Sequence, residues 1–185
     1  MSYKATINSI PENPGIYIYF DFNGIALYVG KALDLKKRIN KHLVRFNSSV
    51  IAGKTLDPLE ITSIRYWLFE EHNGLSKDEI KKKLRSFEKG FIYKYKPKFN
   101  LSAEDVQAAK QKLNYKIPNI NELKLIKLKL PDIKRNDPLE RIKIKSRLIY
   151  DLASKGQLTG LSNKDKKALK IHSEDLLNIS KNLNS

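Results

Sequence analysis

The stretch from Pro14 to His42, PGIYIYFDFNGIALYVGKALDLKKRINKH, constrains this chain more than any other. Two short apolar, tyrosine-bearing runs, Gly15–Phe20 and Ala26–Gly30, flank Asp21-Phe22-Asn23-Gly24. Asn-Gly between β-branched and aromatic runs predicts a β-hairpin, because both residues tolerate positive φ. Asp34 then stands in N-cap position ahead of the helical pattern Leu35-Lys36-Lys37-Arg38-Ile39-Asn40-Lys41-His42-Leu43. A hairpin feeding a capped helix spreads Tyr17, Tyr28, Lys31, Arg38 and His42 along one unit. Arg38 and His42 are four apart and share a helix face, beside an apolar stripe of Leu35, Ile39, Leu43 and Phe46. Taken singly, each of the five has an ordinary explanation, since strand tyrosines pack and basic helix faces are solvated. Their joint spacing is what points to a site.

Downstream, Ile61–Phe69 predicts a third strand, with Ile64, Tyr66 and Leu68 facing one way and Arg65 and Trp67 the other. Ser76-Lys77-Asp78-Glu79 reads as a capping box opening a helix that runs to about Tyr95, before Pro97. Its apolar stripe is Ile80, Leu84, Phe87, Phe91, Ile92 and Tyr95, and Glu88 lies inside that stripe. A carboxylate on a buried face costs several kcal/mol unless it is paired or binds a cation. A salt bridge to a buried Arg, or a side chain reaching the stripe's edge, competes with a metal ligand at the floor of a site.

The paired runs Gly15-Ile16-Tyr17 and Tyr28-Val29-Gly30 resemble the GIY-YIG nuclease family. Lys31-Ala32-Leu33-Asp34-Leu35-Lys36-Lys37-Arg38 resembles its repair incision branch, and a His four residues after the Arg is similar to homing and restriction members. The resemblance covers about residues 10–102. It implies an α/β (α+β) fold with a small three-stranded antiparallel sheet flanked by helices. It also implies a divalent-metal-dependent endonuclease that hydrolyses DNA phosphodiester bonds, with Glu88 as the family's single acid holding Mg²⁺ or Mn²⁺. Tyr17, Tyr28, Arg38, His42 and Glu88 are then the expected catalytic set, and Lys31, Lys37 and Asn100 the expected phosphate or DNA contacts. In this reading Arg38 braces phosphoryl oxygens with its fixed fork. Tyr17 is the candidate base, helped by positive charge, with Tyr28 and His42 as alternatives that the residues leave open.

Bulk properties narrow the classes. The formal net charge of +16 favours polyanion partners. Basic and acidic residues divide equally at residue 102, so neither half is simply a basic tail. The absence of cysteine removes disulfides, thiolate catalysis and Cys-containing zinc sites. No apolar run reaches the length of a membrane span, no secretory leader is visible, and a cytoplasmic location is expected. No GxxxxGK loop occurs, so no nucleotide cofactor is expected. The expected division is a nuclease domain over 1–102 and a basic, mostly helical accessory region over 103–185.

Within the latter, helices are expected over about 102–113, from Asp137-Pro138 to about Ser154 with Gly156 as the stop, and after Ser162. Leu123–Leu130 nearly alternates apolar residues with Lys, which suggests a strand with one basic face or an extended arm. The last two helices fit a helix-turn-helix reader or a hairpin that buttresses the nuclease part. His72 and His172 are expected on the surface. The competing functional reading is a non-catalytic basic nucleic-acid-binding module on the same scaffold, and a weaker one is a structural docking protein. Monomer or dimer is undecided.

Overall fold

The computed structural model describes residues 7–43, 56–100, 117–128 and 137–183. Four strands and four α-helices follow in order: β1 (Gly15–Phe20), β2 (Ala26–Ala32), α1 (Leu35–Leu43), β3 (Ser63–Leu68), α2 (Lys77–Tyr95), β4 (Lys124–Lys127), α3 (Pro138–Thr159) and α4 (Asn163–Leu183). The sheet order is β2-β1-β3-β4, with every neighbouring pair antiparallel. The fold class is as the sequence implies, but the sheet has four strands rather than three. The edge of β3 pairs with β4, from Ser63↔Lys127 to Tyr66↔Lys124. Lys124 and Lys127 are three apart and so fall on opposite faces of this short strand. No single basic face results. Leu123 and Leu128, just outside it, are buried.

Alternation along β1 decides both layers. Tyr17 and Tyr19 point to one face, where Leu35, Ile39 and Leu43 of α1 cover them. Ile16, Ile18 and Phe20 point to the other, where Ile80, Leu84 and Phe91 of α2 cover them. The side of β3 that carries Ile64 and Tyr66 faces the first cluster, and Trp67 faces the second, as alternation predicts. Full burial of one such side chain is worth about 1.5–3 kcal/mol. That outweighs the weak intrinsic stability of a nine-residue helix such as α1. Ile7 and Ile10 anchor the lead-in to the first cluster.

The hairpin forms with a looser turn than Asn-Gly suggests. Only Gly24 takes positive φ, at 76°. The Asp21 carboxylate instead gathers the backbone N–H groups of Asn23 and Ile25 into a five-residue loop. The register shifts between Tyr19 and Phe20, which puts Tyr28 opposite Tyr19 and Gly30 opposite Tyr17.

The α2 capping box is present in both directions between Ser76 and Glu79. Helix α3 overruns its expected end at Gly156 and stops at Gly160, whose φ is +73°. Gly156 serves close packing instead, because a Cβ there would come within 2.8 Å of Leu161 Cγ. Helices α3 and α4, 22 and 21 residues long, form a tight helical hairpin. The expected helix over about 102–113, Phe46 and Lys129-Leu130 lie outside the described residues.

Candidate active site

Strand alternation and the shifted register bring three phenols and an imidazole together on the α1 face. The ring centroids of Tyr17 lie 5.1 Å from Tyr19, 6.2 Å from Tyr28 and 5.6 Å from His42. The phenol end of Tyr17 lies against Gly30, its partner across the ladder, and a Cβ at Gly30 would collide with the phenol oxygen. Gly15 is constrained in the same way, since a Cβ there would strike the Trp67 carbonyl. The glycines that flank the tyrosines in sequence are therefore space for the site's own aromatic rings and backbone.

Helix α1 delivers Arg38 and His42 to one oxygen. The Arg38 Nε–H donates to Tyr17 Oη at 3.4 Å, and His42 Nε2 lies 3.5 Å from the same oxygen. Arginine only donates, so the phenol oxygen accepts from Arg38 and its own proton is free to point at His42 Nε2. The Arg38 guanidinium also acts on Tyr28, favouring its ionised form. His42 and Tyr17 are fully buried. Burial pushes the Tyr17 phenol far above its usual range, the neighbouring Tyr28 adds to this, and Arg38 opposes it. Tyr28 is raised to about 12, chiefly by burial and next by the negative charge of Glu88, again with Arg38 opposing. In the resting site both phenols hold their protons at neutral pH.

Helix α2 delivers Glu88 from the opposite layer. Its carboxylate pairs with the Lys31 ammonium on β2, and the two side chains are 18% and 30% exposed. The ion pair foreseen for Glu88 is thus made with a lysine of the hairpin and not with an arginine. The Glu88 charge acts on both Tyr17 and Tyr28. Among the described residues no group of three or more His, Asp or Glu side chains could cage a metal. One partly exposed carboxylate, paired with Lys31, fits an ion that retains most of its water, as Mg²⁺ does.

The remaining expected contacts divide. Lys37 is exposed on α1. Asn100 is buried, and its amide is engaged at both ends with Val29: its Oδ1 accepts from the Val29 N–H at 2.7 Å and its Nδ2 donates to the Val29 carbonyl at 2.9 Å. That amide fixes the strand between Tyr28 and Gly30 and does not face outward. His172, expected on the surface, is fully buried against the Phe99 ring.

Two buried residues, one in the aromatic cluster and one outside it, escape the sequence reading. Tyr19 is fully buried in the aromatic cluster, and β-alternation from Tyr17 would have placed it there. Lys145 on α3 is fully buried beneath Glu60, Asp175 and His172. It lies three residues before Leu148 and seven before Leu152, so it breaks an apolar stripe just as Glu88 does.

Residues 13–62 match the family described as a UvrC-like GIY-YIG domain. This part of the chain is a GIY-YIG domain. The UvrABC system protein C of Nautilia profundicola is 36% identical over 110 residues, and that of Mycoplasma mycoides is 32% identical over 105. Each alignment covers 57% of this chain and 16% of the relative, so the chain spans about a sixth of the length of these proteins. The magnesium-bound GIY-YIG N-terminal endonuclease domain of UvrC from Thermotoga maritima is 25% identical. It is covered in full by 55% of this chain, with a TM-score of 0.37. Within the GIY-YIG domain, Gly15-Ile16-Tyr17 and Tyr28-Val29-Gly30 are the two strand segments that the register sets side by side. No described helix is long and apolar enough to cross a membrane.

Proposed function

We propose that this protein is a divalent-metal-dependent endonuclease that hydrolyses DNA phosphodiester bonds. Residues 1–102 would be the catalytic part, and 103–185 an accessory region. The observation that carries this reading is convergence from four elements. Arg38 of α1 hydrogen-bonds Tyr17 of β1, whose ring lies 6.2 Å from Tyr28 of β2, and Glu88 of α2 pairs with Lys31 of that same strand. The net charge of +16 suits a polyanionic substrate.

In this reading Glu88 would hold Mg²⁺ or Mn²⁺, which supplies Lewis-acid stabilisation of the phosphoryl transition state and leaving oxygen. Lys31, once released from Glu88, is an ammonium at the pocket mouth able to meet a phosphoryl oxygen. Arg38 is the donor aimed at developing negative charge. Its bond to Tyr17 also favours the phenolate, so Tyr17 can take a proton from water after passing its own to His42 Nε2. That relay needs the His42 tautomer with an unprotonated Nε2. Tyr28 and Arg38 hold the acceptor in place. Lys37, exposed on α1, is a phosphate contact outside the pocket.

A second reading, a DNA-binding module without turnover, draws on the Lys31–Glu88 ion pair, which such a module would keep closed. Plasmid nicking separates the two. The native protein should convert supercoiled plasmid to nicked circles with Mg²⁺ or Mn²⁺ and not with EDTA. Glu88→Gln should be slower by about 10²-fold or more. If the native protein leaves both plasmid and single-stranded DNA intact while binding them independently of EDTA, the module reading replaces the enzyme.

A further inference from the structure

Strand β2 carries Tyr28, Gly30 and Lys31, yet it is an outer strand of the sheet, paired only with β1. Its free edge is closed by the segment that follows α2. The Lys98 N–H donates to the Ala26 carbonyl and the Phe99 N–H to the Leu27 carbonyl, both at 2.9 Å. The Asn100 amide then takes both backbone groups of Val29. Tyr28 is therefore flanked on both sides by anchored backbone.

Helix α4, far along the chain, grips each of these three residues in turn. Asp175 accepts from Lys98 Nζ at 2.9 and 3.1 Å. The His172 ring lies 5.4 Å from the Phe99 ring. Lys167 Nζ donates to the Asn100 carbonyl at 2.5 Å. Lys167, Ile171, His172 and Asp175 occupy one side of the helix, and Ile171 belongs to the same core cluster as Tyr17. A helix whose task was only to read DNA would have no need to meet three consecutive residues of this brace.

We propose that α4 is a positioning element for the active site: Lys167, His172 and Asp175 lock Lys98–Asn100 against β2 and so fix Tyr28 and Gly30. Lys167 is the positioning residue of choice, because its ammonium holds the carbonyl of the residue whose side chain holds Val29. The catalytic half of the statement rests on the endonuclease reading. The bracing half does not.

The test uses the full chain with Lys167→Met, which keeps most of the aliphatic stem, and Lys167→Arg, which restores a cation. Amide hydrogen exchange at Val29 reads the brace whether or not the protein cuts DNA. In Lys167→Met, Val29 protection should fall about tenfold or more while amides in the centre of α2 are unchanged. Lys167→Arg should restore most of it. Single-turnover nicking by Lys167→Met should slow about five- to twentyfold, with the dissociation constant for DNA in Ca²⁺ unchanged. Native-like Val29 protection in Lys167→Met overturns the brace. Lost protection with an unchanged nicking rate overturns its role in positioning. Should Lys167→Met prove poorly folded, Lys98→Met replaces it, because it breaks the Asp175 grip and leaves the Lys145 cluster intact, read at the Phe99 amide by the same criteria. If the native protein does not cut at all, the endonuclease reading fails, and the exchange data still decide the brace.

Discussion

Gly30 and Tyr17 show how little room the site leaves at the level of single atoms. The phenol rests where a Cβ on Gly30 would stand, so Gly30→Ala must displace the ring or the strand. Overpacking of this kind costs about 1–3 kcal/mol, to be read by urea denaturation. Because the displaced atom is Tyr17 Oη, nicking should fall about tenfold or more. A variant that is destabilised but fully active would detach the Tyr17 oxygen from the chemistry. The phenols also set a pH signature. Free tyrosine titrates near ~10, whereas Tyr28 is raised to about 12 and Tyr17 beyond it, chiefly by burial. The folded protein thus keeps protons that the unfolded chain gives up near ~10. The stabilisation is complete below that pH and is lost as pH rises through 12. Unfolding curves at pH 8, 10 and 11 should show a decline only above ~10, with little phenolate absorbance from the folded state. Early phenolate formation from the native protein would mean that the pocket is wetter than its burial indicates.

At the level of elements, the legible parts were those where local chemistry and burial agree. The Ser76–Glu79 box opens α2, and alternation along β3 sorts Ile64 and Tyr66 from Trp67. What was illegible depends on partners distant in sequence. Gly156 looks like a helix stop until Leu161 is seen packed against it. Asn100 looks like a turn residue free to meet DNA until Val29 is found at both ends of its amide. Removing that amide by Asn100→Ala leaves a buried N–H and C=O on Val29 without their partner, which should cost about 2–4 kcal/mol in chemical denaturation. A cost below about 0.5 kcal/mol would mean that β2 does not need the anchor. The same helix that brings Glu88 into the site shows Arg85 and Lys89 to solvent, with no carboxylate partner among the described residues. They are i, i+4 neighbours on one side of α2. In the DNA reading, Arg85→Glu with Lys89→Glu should weaken binding across sequences. It should also flatten the log–log salt dependence by about two units, at roughly 0.9 per lost phosphate contact. An unchanged salt slope would place the DNA elsewhere on the molecule.

Across the whole molecule, the hairpin of α3 and α4 is tied to the segment just ahead of β3 by a buried cluster around one ammonium. Lys145 Nζ lies 2.5 Å from Glu60, 3.2 Å from Asp175 and 3.8 Å from Asp57, with no exposure of its own. The signal was present in the sequence as a charge inside an apolar stripe, but its partners lie 85 and 30 residues away. Three carboxylates sharing one cation cannot all be equally satisfied. Burial pushes Glu60 above the usual carboxylate range, only partly offset by Lys145, and Asp57 adds to the rise. Asp175 resists its own burial because Lys145 and Lys98 hold it below that range. Burial also works against the Lys145 ammonium, but Glu60, Asp57 and Asp175 outweigh it and raise its pKa. The signs then differ by residue. The Asp175 contribution is present above the ordinary carboxyl range near ~4 and is lost as pH falls through its lowered value. The Lys145 contribution is complete below ~10.4 and is lost as pH rises through its raised value. Ionised Glu60, with its pKa raised, is a net liability to the fold at neutral pH. Glu60→Gln should therefore cost less stability than Asp175→Asn, although Glu60 makes the shorter contact with Lys145. Lys145→Met strands all three carboxylates and should cost about 3–5 kcal/mol. Its thermal midpoint should recover at mildly acidic pH, where Glu60 takes up a proton first. If Glu60→Gln proved the more damaging of the two carboxyl variants at neutral pH, contact distance and not desolvation would govern how this chain fastens its C-terminal hairpin.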